Sequence, residues 1–227
     1  MMHAAEFLVL AGRRDAVSLG DELGASVLCL SRGLPSPQRA VEGTFDAALA
    51  RGWRGVICAA HPFDPAPGAR VAALWPGVPL AHVAAPSWPA QPAWTAAASA
   101  QEAAAQLPIG LTVFATTGRS SEAAWASYEG EVILRQSVPH AEPPAAHNIR
   151  YEFASGAYDA ASETRLFETL GVDALVLRNT GGTRGYGKVA AGMALNLRII
   201  MLERPVPDGV ILPDLQSVRA WMEGICG

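Results

Sequence analysis

Short apolar runs alternate with helix-like stretches from one end of the chain to the other. Residues 7–10, 27–30, 56–58 and 80–83 read as strands in the first half, and 111–115, 132–134, 174–177 and 198–202 in the second. Between them, 15–23, 45–50, 96–106, 122–127, 160–170, 189–195 and 215–223 read as helices. Strands this short, apolar on both faces and separated by helices, belong to parallel sheets whose crossover helices cover both sides. The expected class is therefore α/β.

Two segments share the grammar of a domain start. Phe7-Leu8-Val9-Leu10-Ala11-Gly12-Arg13-Arg14-Asp15 is a strand, a glycine turn and a helix opening with an acidic residue. The pattern returns in Thr112-Val113-Phe114-Ala115-Thr116-Thr117-Gly118-Arg119-Ser120-Ser121-Glu122. These imply two Rossmann-like domains with mostly parallel sheets and an interdomain cleft, residues 1–108 and 109–227, meeting near Pro108-Ile109-Gly110. Proline-rich stretches at 86–92 and 139–144 are loops, and the second, carrying His140 and Glu142, is a candidate lid.

Composition narrows the class without changing it. The chain has 227 residues, half of them hydrophobic, and only 17% charged, which leaves no room for a long disordered tail. No stretch approaches the ~20 apolar residues of a membrane span. The opening Met1-Met2-His3-Ala4-Ala5-Glu6 lacks the basic region of a signal peptide, so a cytoplasmic protein is expected. Cys29, Cys58 and Cys226 form no paired spacing, and His3, His61, His82, His140 and His147 form no metal-ligand pair. A net charge of −4 with no basic block argues against nucleic acid. Lys188 is the only lysine among 17 cationic side chains; the rest are arginines, fork-shaped donors suited to carboxylates and phosphates.

Ligands of open α/β sheets bind at the carboxyl ends of strands, where helix N-termini offer free N–H groups. Gly12 and Arg13 occupy the first such turn, which lets backbone approach a pyrophosphate, although it is not GxGxxG. Ser31 and Arg32 follow the second strand, where a dinucleotide fold meets the adenosine ribose and an arginine favours the 2′-phosphate of NADP. His61, held extended by Pro62, follows the third strand. The segment 176–189 is the richest. Gly182 to Lys188 fits GxxxxGK, but Val189 stands where a Mg²⁺-binding hydroxyl belongs, which disfavours a P-loop nucleotide-binding protein. What remains is an anion-binding loop with Arg178, Arg184 and Lys188. No GxSxG and no spaced carboxylate pair support hydrolysis.

Taken together, His61-Pro62-Phe63, Pro86-Ser87-Trp88, Ala115-Thr116-Thr117-Gly118-Arg119, Asn179-Thr180-Gly181-Gly182, Tyr186, Lys188, Ala190-Ala191 and Arg204-Pro205 resemble the precorrin-6A reductase family of cobalamin biosynthesis over nearly the whole chain. The resemblance implies an NADPH-dependent oxidoreductase acting on a CH–CH bond of a tetrapyrrole, with an NADPH domain followed by a precorrin domain. It places the cofactor on Gly12, Arg13, Ser31, Arg32, His61, Thr117 and Gly118. Substrate carboxylates would meet Arg119, Arg178, Thr180, Gly181, Arg184, Lys188 and Arg204, with His61, Tyr186 or solvent giving the proton. It implies no membrane partner, and transient contact with neighbouring enzymes of the pathway. The first turn departs from the family's Gly-Gly-Thr-acidic opening, Cys58 replaces its aspartate and Ala85 its arginine. A non-catalytic tetrapyrrole carrier is the alternative.

Overall fold

The computed structural model of the chain describes residues 4–154 and 159–227. It divides into two compact units, Met1–Pro86 with Pro205–Gly227, and Ser87–Arg204. Both are α/β with parallel pairing throughout.

In the first unit, β1 (Phe7–Ala11), β2 (Ser26–Cys29), β3 (Gly55–Ala59), β4 (Leu80–Val83) and β11 (Val210–Leu212) form one sheet in the order β11-β4-β3-β1-β2. Successive strand side chains point to opposite faces, so the two faces of β1 and β3 build two cores. Phe7, Val9, Ala11, Ile57 and Ala59 pack against Ala16, Val17 and Leu23 of α1 (Arg14–Leu23) and Val218 and Met222 of α8 (Leu215–Cys226). Leu8, Leu10, Val56 and Cys58 pack instead against Ala48 and Leu49 of α2 (Phe45–Leu49) and Val71 of α3 (Ala66–Leu74).

The second unit is built likewise. Its strands are β5 (Trp94–Ala97), β6 (Thr112–Ala115), β7 (Glu131–Gln136), β8 (Ile149–Phe153), β9 (Ala174–Arg178) and β10 (Arg198–Leu202), ordered β5-β10-β9-β6-β7-β8. One face buries Phe114, Ile133, Leu175, Leu177, Ile199 and Met201 against Phe167 of α6 (Ala160–Leu170) and Val189 of α7 (Tyr186–Ala194). The helices α4 (Ala100–Gln106) and α5 (Glu122–Trp125) complete the unit, α4 lying against β5, β10 and α5. Ser99, Asp159 and Asp214 cap α4, α6 and α8 by accepting N–H bonds from Glu102, Ser162 and Ser217 at 3.1, 2.9 and 2.8 Å.

The division expected at residue 108 is replaced by two crossings, Pro86/Ser87 and Arg204/Pro205. The cause is hydrogen bonding at the sheet edges. Residues 94–97 join β10 rather than continuing a helix from 96, and 210–212 return to pair with β4, bringing α8 back to the first unit. Among the α-helices and β-strands of the described residues, α3, β5, β8 and β11 are absent from the sequence reading, and the three strands all lie at sheet edges. Among the described residues no helix is long and apolar enough to cross a membrane.

Candidate functional site

Each sheet reverses its order of strand addition once, and at such a point adjacent loops leave toward opposite faces and open a crevice at the carboxyl ends. In the first unit the reversal lies between β1 and β3, in the second between β6 and β9.

The β1/β3 end brings Gly12, Arg13 and His61 together. The Gly12 N–H donates to Ala59 O at 3.3 Å, and a Cβ placed on Gly12 would stand 3.0 Å from Ala60 Cα. A side chain there would press on the Ala60 backbone, so the close approach favours glycine. Arg13 is the N-cap of α1 and gives it no side-chain cap; Ala16 N–H donates to Arg13 O at 3.2 Å, which leaves the Arg14 and Asp15 N–H groups of the first turn available to an anion. Its guanidinium spans from Asp15, at 3.1 Å, to Val83 O, at 3.2 Å, over the end of β4. The exposed His61 accepts the Phe63 N–H on Nδ1 at 3.1 Å, which puts the proton of the neutral ring on Nε2. Ser31 and Arg32 are exposed beyond β2, held beside β1 through Leu30 N–H donating to Ala11 O at 2.8 Å. Cys58, in place of the expected aspartate, is buried, and burial pushes its thiol pKa up.

The β6/β9 end gathers Thr117, Gly118 and Arg178. The Arg178 guanidinium donates to Thr117 O, and it lies over Gly118, whose φ of 80° keeps the turn open. Burial lowers the Arg178 pKa. Thr117, expected at the cofactor with Gly118, belongs to this second unit and is 1% exposed; its hydroxyl bonds Ser121 at 2.6 Å and the Trp125 indole at 3.3 Å. That side chain shapes the turn from inside. Arg119 pairs with Glu142 of the 139–144 loop and lies 3.5 Å from Glu122, which also accepts the Tyr151 hydroxyl at 2.6 Å.

The three cations expected around one loop have three environments. Arg178 is engaged at the crevice, Arg184 is exposed, and Lys188 turns inward from the first turn of α7. There it meets Glu163 of α6 and Arg135 of β7, themselves a buried, two-pronged pair at 3.3 and 3.5 Å. Burial, helped by the positive Arg135 and opposed by Glu163, lowers the Lys188 pKa to about 8. Arg204 donates to Asn179 O and Thr180 O at 3.3 and 2.6 Å. Tyr186, half-exposed at the start of α7, meets the Trp88 ring edge-on at 5.7 Å. Arg135 and Glu163 were missed by the sequence reading, because an isolated charge inside an apolar strand and one on a helix carry no mark of being partners.

The sequence model of the precorrin-6x reductase CbiJ/CobK family matches residues 6–223. The chain belongs to that family. Family membership makes it an oxidoreductase of cobalamin biosynthesis acting on a precorrin. It is 27% identical to a precorrin-6A reductase of Mycobacterium tuberculosis, over 96% of this chain and 97% of that one. It is 28% identical to a precorrin-6A reductase of Rhodococcus erythropolis, over 80% and 76% of the two chains. A solved structure of CobK precorrin-6A reductase superposes with a TM-score of 0.80, 27% identity and 96% coverage of both chains. In this reductase the family-like segments at His61 and Thr117, together with Gly12 and Arg178, lie at the carboxyl-end crevices of the two sheets.

Proposed function

We propose that this reductase transfers hydride from NADPH to a ring carbon of precorrin-6A while the neighbouring carbon gains a proton. The observation that carries the reading is the difference between the two crevices. The first offers a close backbone approach at Gly12, an uncapped helix start and the Arg13 charge, which suit a pyrophosphate. Ser31 and Arg32 stand one strand away, where the 2′-phosphate of an NADP-type cofactor would meet them. The residues present therefore fit the cofactor, which when bound supplies the hydride.

The second unit is the substrate side. Arg119, Arg178, Arg184, Lys188 and Arg204 fall on it, with the main chain of Thr180 and Gly181, and guanidinium groups grip carboxylates with paired N–H bonds. Arg119, already paired with Glu142, meets a carboxylate in this structure. The Nε2 proton of His61 and the hydroxyl of Tyr186 are the protein's candidate donors beside solvent.

The test mixes purified protein with NADPH and precorrin-6A. Saturable NADPH fluorescence enhancement, with one NADPH oxidised per precorrin-6A consumed, is expected. Tetrapyrrole binding without NADPH binding would replace the reading by the carrier alternative.

A further inference from the structure

We propose that Asn179 is a positioning residue for the precorrin-binding loop, acting through Trp88; this rests on the substrate assignment just made. Of the 179–185 connection between β9 and α7, the part 181–185 is intrinsically loose. Gly181 and Gly182 take φ of 70° and 67° in succession, and Gly182, Thr183 and Arg184 are exposed. Glycines in tandem lose the most freedom on ordering, so something must hold them.

That something is Trp88, a residue 9% exposed at the start of the same unit. Its indole N–H donates to Gly182 O at 2.6 Å. Its ring stands 3.2 Å from where a Gly185 Cβ would be, and meets Tyr186 edge-on. Trp88 thus touches both ends of the loop.

Asn179 fixes Trp88 in turn. Its side-chain oxygen accepts the Trp88 N–H at 2.8 Å and its NH₂ donates to Trp88 O at 3.0 Å. A carboxamide offers donor and acceptor in one plane, so it pairs with a main-chain residue as a neighbouring strand would. The Asn179 main chain is held as well: its N–H donates to Leu202 O at 3.1 Å, and its C=O accepts from the Arg204 guanidinium. One residue therefore ties the loop to Trp88, near the start of the unit, and to Arg204, its last residue. Aspartate lacks the NH₂ donor and alanine lacks both groups.

The experiment compares wild type, Asn179→Ala and Asn179→Asp in two assays. Limited trypsin digestion, followed by mass spectrometry, reads cleavage after Arg184, with cleavage after the remote exposed Arg51 as control. Steady-state kinetics read KM for precorrin-6A, and fluorescence reads NADPH affinity. Asn179→Ala should speed cleavage after Arg184 and raise KM about tenfold each, with kcat, NADPH affinity and Arg51 cleavage nearly unchanged. Asn179→Asp should fall between, because it keeps the acceptor. Unchanged Arg184 cleavage in a folded Asn179→Ala protein overturns the proposal, as does an equal rise at Arg51. If Asn179→Ala does not fold, Trp88→Phe, which removes the indole donor together with part of the ring that faces Gly185, decides by the same criteria. The digestion needs no turnover, so it reports on Asn179 even where wild type fails to oxidise NADPH.

Discussion

Replacing Lys188 by methionine sets a charge-burial cost against a binding role. Lys188 is the only lysine, half-buried beside Arg135 and Glu163, and its pKa falls from 10.5 to about 8. At about 1.36 kcal/mol for each tenfold change, the folded state disfavours the ammonium by about 3 kcal/mol. The sign follows from proton counting. Below pH 8 both folded and unfolded lysine are charged, and the full penalty is present. Between pH 8 and 10.5 the unfolded chain holds a proton that the folded chain has lost, so wild-type stability rises with pH. Above 10.5 both are neutral and the penalty is gone. Methionine has similar length and no charge, and it leaves the Arg135–Glu163 pair intact. Lys188→Met should therefore be more stable at pH 7 by up to about 3 kcal/mol, a rise in Tm of several degrees at about 2–4 °C per kcal/mol. Denaturation of both proteins across pH 7–10.5 should show that gap shrinking by about 1.4 kcal/mol per pH unit above 8. A gap that does not change with pH refutes the reasoning. The same substitution should raise KM for precorrin-6A at pH 7. Wild-type KM should rise as pH passes 8, and the variant's should not.

Three other predictions come from single contacts. Arg32→Ala should weaken NADPH by about 1.5–3 kcal/mol and NADH hardly at all, measured by fluorescence titration; equal losses would remove the 2′-phosphate role. Gly12→Val should abolish cofactor binding, because its Cβ would meet Ala60 Cα at 3.0 Å and its branches fill the approach; retained NADPH affinity would place the pyrophosphate elsewhere. Glu163→Gln leaves Arg135 and Lys188 buried as two like charges, so denaturant melts at pH 7 should show a loss of about 3–5 kcal/mol. It should also push the KM break of wild type below pH 8, which a shift upward would contradict.

The central strands β1, β3, β6 and β9 were legible because a strand buried on both faces must be apolar at nearly every position. The turns at Gly12 and Thr117-Gly118 were legible too, since a glycine after such a run marks a carboxyl end wherever the strand sits in its sheet. The edge strands were not. In β8 the charged Arg150 and Glu152 alternate with Ile149, Tyr151 and Phe153; in β5 Thr95 and Ala96 are exposed; β11 has three residues. Such segments are strands because of the neighbour that accepts them, and for β5 and β11 that neighbour lies more than a hundred residues away. The same holds for the charges. Sequence shows that Arg135, Glu163, Arg178, Lys188 and Arg204 exist and that one loop collects several of them. Only the tertiary structure decides that Lys188 turns inward to Glu163, that Arg178 binds Thr117 O and that Arg204 binds the main chain of residues 179–180. Hydrophobic periodicity is a local property of the chain, whereas pairing and burial of charge are set by which distant segments the fold brings within a few ångströms.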